Sequence, residues 1–141
     1  MKKIFFFLLF IPLFFACGSD DDNKDGDGLE IQDYTSVIIK NEYPKNNDLY
    51  YMIIGIQNED KTWKKIADIG TLVSGKESLD IKLSKYYRKI RVFSKLYIDK
   101  GPHYYLDFEL KENRKNILSI GGDIQWTDIK DLTDPKQYPQ E

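Results

Sequence analysis

Apolar and polar residues alternate strictly through Leu79–Leu83, Ile90–Val92 and Tyr104–Leu110. A period of two places one face of an extended segment against a core and the other in water. Runs rich in β-branched and aromatic residues predict further strands over Thr35–Lys40, Leu49–Gln57, Trp63–Ile69, Asn116–Ile120 and Ile124–Ile129. Turn-forming clusters separate them at Pro44–Asp48, Gln57–Lys61, Ser74–Lys76, Asp99–Pro102, Lys111–Arg114 and Gly121–Asp123.

No window carries the period of an amphipathic helix; the best, Ser84–Lys89, is one turn at most. Strands at this spacing, with turns between them, predict an all-β domain over residues 31–130. The expected form is an antiparallel β-sandwich of about eight strands, immunoglobulin-like or transthyretin-like. Residues 131–141, with Pro135 and Pro139, read as an extended C-terminal tail. Within Leu49–Gln57, alternation puts Tyr50, Met52, Ile54 and Ile56 on one face and Leu49, Tyr51, Ile53 and Gly55 on the other. Both faces are apolar, so this strand is either central and covered twice or offers its second face to a partner.

The start of the chain has a different character. Lys2 and Lys3 precede an apolar run from Ile4 to Phe15, too short to cross ~30 Å of hydrocarbon as a helix. A charged start, a short apolar core and a small residue before the cut make residues 1–16 a secretory signal peptide. Phe14-Phe15-Ala16-Cys17 resembles the lipobox of bacterial lipoproteins, with Phe14 where that family usually has leucine. The resemblance implies that Cys17, the only cysteine, carries a diacylglycerol on its sulfur and an acyl chain on its amino group. At about 0.8 kcal/mol per buried methylene, such chains anchor the protein to a membrane without spanning it.

Ser19, Asp20, Asp21 and Asp22 resemble the export signal that follows the cysteine in surface lipoproteins of Bacteroidota. That implies display on the outer leaflet of the outer membrane, with a periplasmic location as the alternative. No residue from Gly18 to Gly28 is apolar, so residues 17–30 read as the lipidated cysteine and an acidic flexible tether. Asp21, Asn23, Asp25 and Gly26 match the opening of a calcium loop. Its last ligand position falls on Gln32 rather than the glutamate such a loop needs, and no metal is expected.

Composition narrows the function further. With 21 basic and 23 acidic side chains, the chain lacks the clustered basic face that nucleic acid calls for. Once Cys17 is acylated, no thiol remains for a disulfide or a thiolate metal site. The domain must be held by its apolar core, and no cofactor is expected.

Candidate chemistry is sparse. His103, the only histidine, shares a polar strand face with Tyr105, Asp107 and Glu109, opposite Tyr104, Leu106, Phe108 and Leu110. Asp107 and Glu109 have the spacing of an acid–base pair, but that work needs a cleft and a raised pKa. Alternation here predicts open solvent instead. No nucleophile elbow, phosphate loop or H-E-x-x-H motif occurs, and no enzyme is expected. Lys64-Lys65 and Arg88-Lys89-Arg91 read as solvated strand faces.

Three tyrosine pairs occur, Tyr50-Tyr51, Tyr86-Tyr87 and Tyr104-Tyr105, and a pair within a strand sends its two rings to opposite faces. Tyr51 and Tyr105, with Trp63 and Trp126, form the candidate binding face. The expected function is a non-catalytic, lipid-anchored accessory module of the envelope that binds another protein. One alternative is a glycan-binding accessory lipoprotein of a polysaccharide-uptake system, marked by a row of coplanar exposed aromatics. Another is a periplasmic anchoring subunit of a secretion machine, by analogy with transthyretin-like lipoproteins.

Overall fold

A computed structural model describes residues 33–84, 87–98 and 103–141. The leader, Cys17, the Ser19–Asp22 signal and the acidic tether lie outside the described residues. Eight strands follow in order: β1 (Thr35–Asn41), β2 (Leu49–Gln57), β3 (Trp63–Leu72), β4 (Ile81–Leu83), β5 (Lys89–Lys95), β6 (His103–Glu109), β7 (Lys115–Ile120) and β8 (Thr127–Asp128). They build a three-stranded sheet, β4-β1-β7, and a five-stranded sheet, β3-β2-β5-β6-β8. Among the described residues there is no helix. The all-β sandwich read from alternation is the observed architecture.

Between the sheets lies one core. Val37 and Ile39 of β1, Leu83 of β4 and Ile120 of β7 meet Met52, Ile54 and Ile56 of β2, Ile90 and Val92 of β5 and Leu106 of β6. Each such side chain contributes about 1.5–3 kcal/mol relative to exposure, which substitutes for the missing disulfides. The chain passes between sheets at β1–β2, β3–β4, β4–β5, β6–β7 and β7–β8. One end of the sandwich, where β1 begins at Thr35, carries the 58–62 and 110–114 connections, with residues 84, 87 and 88 beside them. The opposite, distal end carries 42–48, 73–80, 96–98 and 121–126.

Four expectations are corrected. The sheets are not wholly antiparallel: β1 pairs parallel with β7 over Ser36–Asn41. The chain leaves β1 for the other sheet and returns to its vacant side only at β7, entering from the same end.

The faces of β2 are shifted. Tyr50 opposes Lys95 and Ile53 opposes Phe93, so β2 carries one residue more than β5 across this interval. This bulge, with Tyr51 at φ 51°, brings both Leu49 and Met52 into the core and leaves Tyr51 exposed. The strand is central, and its second face is covered as well.

The expected strand Ile124–Ile129 pairs only at Thr127 and Asp128. Its earlier residues close the distal end, with Trp126 hydrogen-bonded to Tyr43.

The C-terminal segment is not an extended tail. After Ile129, whose amide donates to His103 O, it crosses the outer face of the five-stranded sheet as a strap. Asp134 caps a single turn, its Oδ1 accepting from Lys136 N and its backbone carbonyl from Gln137 N and Tyr138 N. Pro139 is buried, and Tyr138 packs against a second apolar cluster of Ile53, Trp63, Phe93 and Ile129. That cluster is the apolar second face of β2 and its neighbours.

Candidate functional site

Among the described residues, most of the expected site residues fall on this strapped outer face. Trp63 is not an outward platform: it is 5% exposed, and the strap explains why. Its amide donates to Pro135 O at 2.8 Å and its indole N–H to Lys136 O at 3.1 Å. Its ring meets Phe93 edge-on at 5.8 Å. Gly55 makes this approach possible, because a Cβ there would lie 2.8 Å from the Phe93 ring.

Arg91 is not a solvated charge. Its guanidinium sits 4.1 Å from the centre of the Trp63 ring and 3.6 Å from that of Tyr105. It also holds Asp107 through Nε to Oδ1 at 2.7 Å and Nη2 to Oδ2 at 2.9 Å. Partial burial raises the Asp107 pKa, but the bonds and charge of Arg91, with Lys89, outweigh it and hold the carboxyl below its ordinary range. Asp107 is therefore ionised and engaged, the reverse of what a general acid needs. His103 lies against the Tyr138 ring at 5.3 Å; burial, then the Lys95 charge, lowers its pKa. Glu109 is exposed at the end of β6.

The four candidate aromatics do not form one row. Trp63 and Tyr105 share Arg91, whereas Trp126 packs on the main core and donates its indole N–H to Tyr43 Oη at 2.9 Å. Tyr51 alone of the four is more than half exposed, at 54%.

The structure adds a surface the strand pattern did not reveal. At the distal end Val73, Tyr97 and Ile98 are exposed, all three in connections rather than strands. A hollow of about 130 Å³ there is lined by Tyr43, Asn47, Asp48, Leu49, Leu96 and Tyr97. The 42–48 loop and the end of β3 are held by Asn41, which is fully buried. Its Nδ2 donates to Asn47 O at 3.0 Å and Leu72 O at 2.8 Å, and its Oδ1 accepts from Tyr43 N at 3.0 Å. Asp48 Oδ1 accepts from Ser74 N at 2.9 Å, tying the 42–48 and 73–80 connections together. The Tyr97-Ile98 pair just after an alternating strand was the available sequence signal for this end.

Among the described residues no group of three or more His, Cys, Asp or Glu side chains is placed to hold a metal ion. No helix among them is long and apolar enough to cross a membrane. No family model, curated protein or solved structure matches the chain.

Proposed function

We propose that this chain is a non-catalytic, lipid-anchored module of the bacterial envelope, held at Cys17 and displayed at the cell surface, that docks another protein with its distal loops. The observation that carries the reading is the position of Val73, Tyr97 and Ile98. They are exposed apolar side chains at the end of the sandwich opposite the start of β1, where a tether from Cys17 would enter. Beside Tyr97 and Ile98, the 42–48 and 73–80 loops are tied by buried Asn41 and by the Asp48–Ser74 bond, so that part of the surface loses little entropy on binding.

The test has two parts. Cys17→Ala should abolish lipid labelling and release the protein from membranes, and protease added to intact cells should digest the wild-type domain. A photo-crosslinker at Tyr97 should then trap a protein partner, while one at Lys64 on β3 should not. Retention of Cys17→Ala on the membrane overturns the anchor. Protection from protease in intact cells overturns surface display, and equal trapping at both positions overturns the docking surface.

A further inference from the structure

The β2–β3 hairpin is irregular at its distal end, and that irregularity builds a cavity. Opposite the extra residue of β2 at Tyr50-Tyr51, β3 carries an extra residue of its own, because Met52 opposes Gly70 while Ile53 opposes Asp68. Tyr51 at φ 51° and Gly70 at φ 72° both adopt left-handed backbone. For a residue as bulky as tyrosine this is a costly conformation that glycine would adopt freely. Bulges re-aim side chains, and this one turns the Tyr51 ring out of the core and over the sheet.

The result is a hollow of about 240 Å³ between the hairpin and the end of the strap. Tyr51 forms one wall, Lys65 and Asp68 reach in from β3, and Gln140 and Glu141 close the side opposite. Space is open above Gly70, where a Cβ would meet no atom within 4 Å. Asp68 Oδ1 accepts from Gly70 N at 3.1 Å, which fixes the carboxylate and leaves Oδ2 outside that bond. Lys95 sits over one face of the Tyr51 ring at 5.4 Å, leaving the other face.

Charge decides what such a hollow can take. Lys65, with Lys95 beside it, disfavours a cation, and Asp68 with Glu141 disfavours an anion. Tyr138, at the rim, responds to the same acids: burial first, then Asp68 and Glu141, raises its pKa. An uncharged ligand remains. It must offer hydroxyls to accept from Lys65 and to donate to Asp68 and to Gln140 Oε1, since Gln140 Nε2 already donates to Leu132 O and Tyr138 O, and an apolar C–H face for the flat of a tyrosine ring. The cavity lies below the ~300–1,000 Å³ of drug-sized sites. A single pyranose ring meets all of these demands. We propose that the hollow between Tyr51, Lys65, Asp68 and the strap end is a binding site for one uncharged sugar ring. It is distinct from the protein-docking surface of the distal loops and does not rest on that reading.

The experiment is saturation-transfer NMR on the full chain in a non-glycosidic detergent, with glucose, galactose, mannose and N-acetylglucosamine as separate probes. At least one should receive magnetisation on its ring protons. Tyr51→Gly removes the ring while suiting the φ > 0 backbone, so it should fold with an unchanged unfolding midpoint and bind at least tenfold more weakly. Asp68→Asn, which retains the Oδ1 bond to Gly70, should also bind at least tenfold more weakly. Absence of transfer to all four sugars overturns the proposal, as does undiminished transfer in both folded variants. Binding of free glutamate or lysine in place of the sugars overturns the ligand class.

Discussion

Arg91 and Asp107, opposite one another on β5 and β6, are joined by two parallel hydrogen bonds. The Arg91 side chain is only 13% exposed, so screening by water is weaker than for a surface pair. Asp107→Ala should destabilise the domain by about 1–3 kcal/mol in urea titration, since it strands a guanidinium between two rings. Arg91→Lys should cost a similar amount, because an ammonium offers neither the planar fork nor the stacking surface.

The same pair sets the acid limb of stability. The folded pKa of Asp107 lies below its ordinary value of 3.8, so its contribution is complete above that value and is lost as pH falls through the folded one. His103 is also lowered, from 6.5, so the fold prefers it neutral; that contribution is complete above 6.5 and fades as pH drops below. His103→Gln should flatten the stability profile between about pH 7 and 5, and Asp107→Asn should flatten it only below about pH 5. Thermal midpoints across that range check both.

Removal of Asn41 leaves buried groups without partners. Asn41→Ala should cost roughly 1–3 kcal/mol and should speed amide exchange at Tyr43 before any strand opens. If exchange instead rose uniformly, Asn41 would be supporting the whole fold rather than the distal loops.

The strap can be loosened in steps. Tyr138 packs edge-on to Phe93 at 5.3 Å and is half-buried, so Tyr138→Ala should cost about 1–3 kcal/mol. Deletion of residues 131–141 should shift Trp63 fluorescence to the red, because the two carbonyls that cap it leave with the strap. An unshifted spectrum would mean that other groups shield the indole.

Gly55→Ala tests the approach of ring to sheet. The added methyl would crowd Phe93 and the Lys64 carbonyl, at 2.8 and 3.3 Å, and should cost about 1–3 kcal/mol.

Local pattern revealed the strands and hid the strap, for physical reasons. Alternation at Tyr104–Leu110 reports burial directly, and the face assigned to Leu106 and Leu110 is the buried one. In β2 an unbroken apolar stretch from Leu49 to Ile54 conceals the extra residue, since a shifted phase still reads as apolar on both sides. Trp63 looked available because the carbonyls that bind it lie more than seventy positions away, in a segment whose prolines read as coil. Arg91 looked solvated because its partners sit on other strands, Trp63 on β3 and Tyr105 and Asp107 on β6. Tyr51 was visible as an aromatic, but the bulge that exposes it was not.

The parallel pairing of β1 and β7 also bears on how the domain withstands force. β1 sits in the middle of its sheet, held over Thr35–Val37 by β4 and over Ser36–Asn41 by β7. A pull on the N-terminal side, resisted at the distal loops, runs along the strand axis and loads these bonds together. None can open alone, as they would in a peeled edge strand. A module gripped at its first strand and loaded at its far end is thus joined in shear, the stronger of the two ways to hang on a sheet.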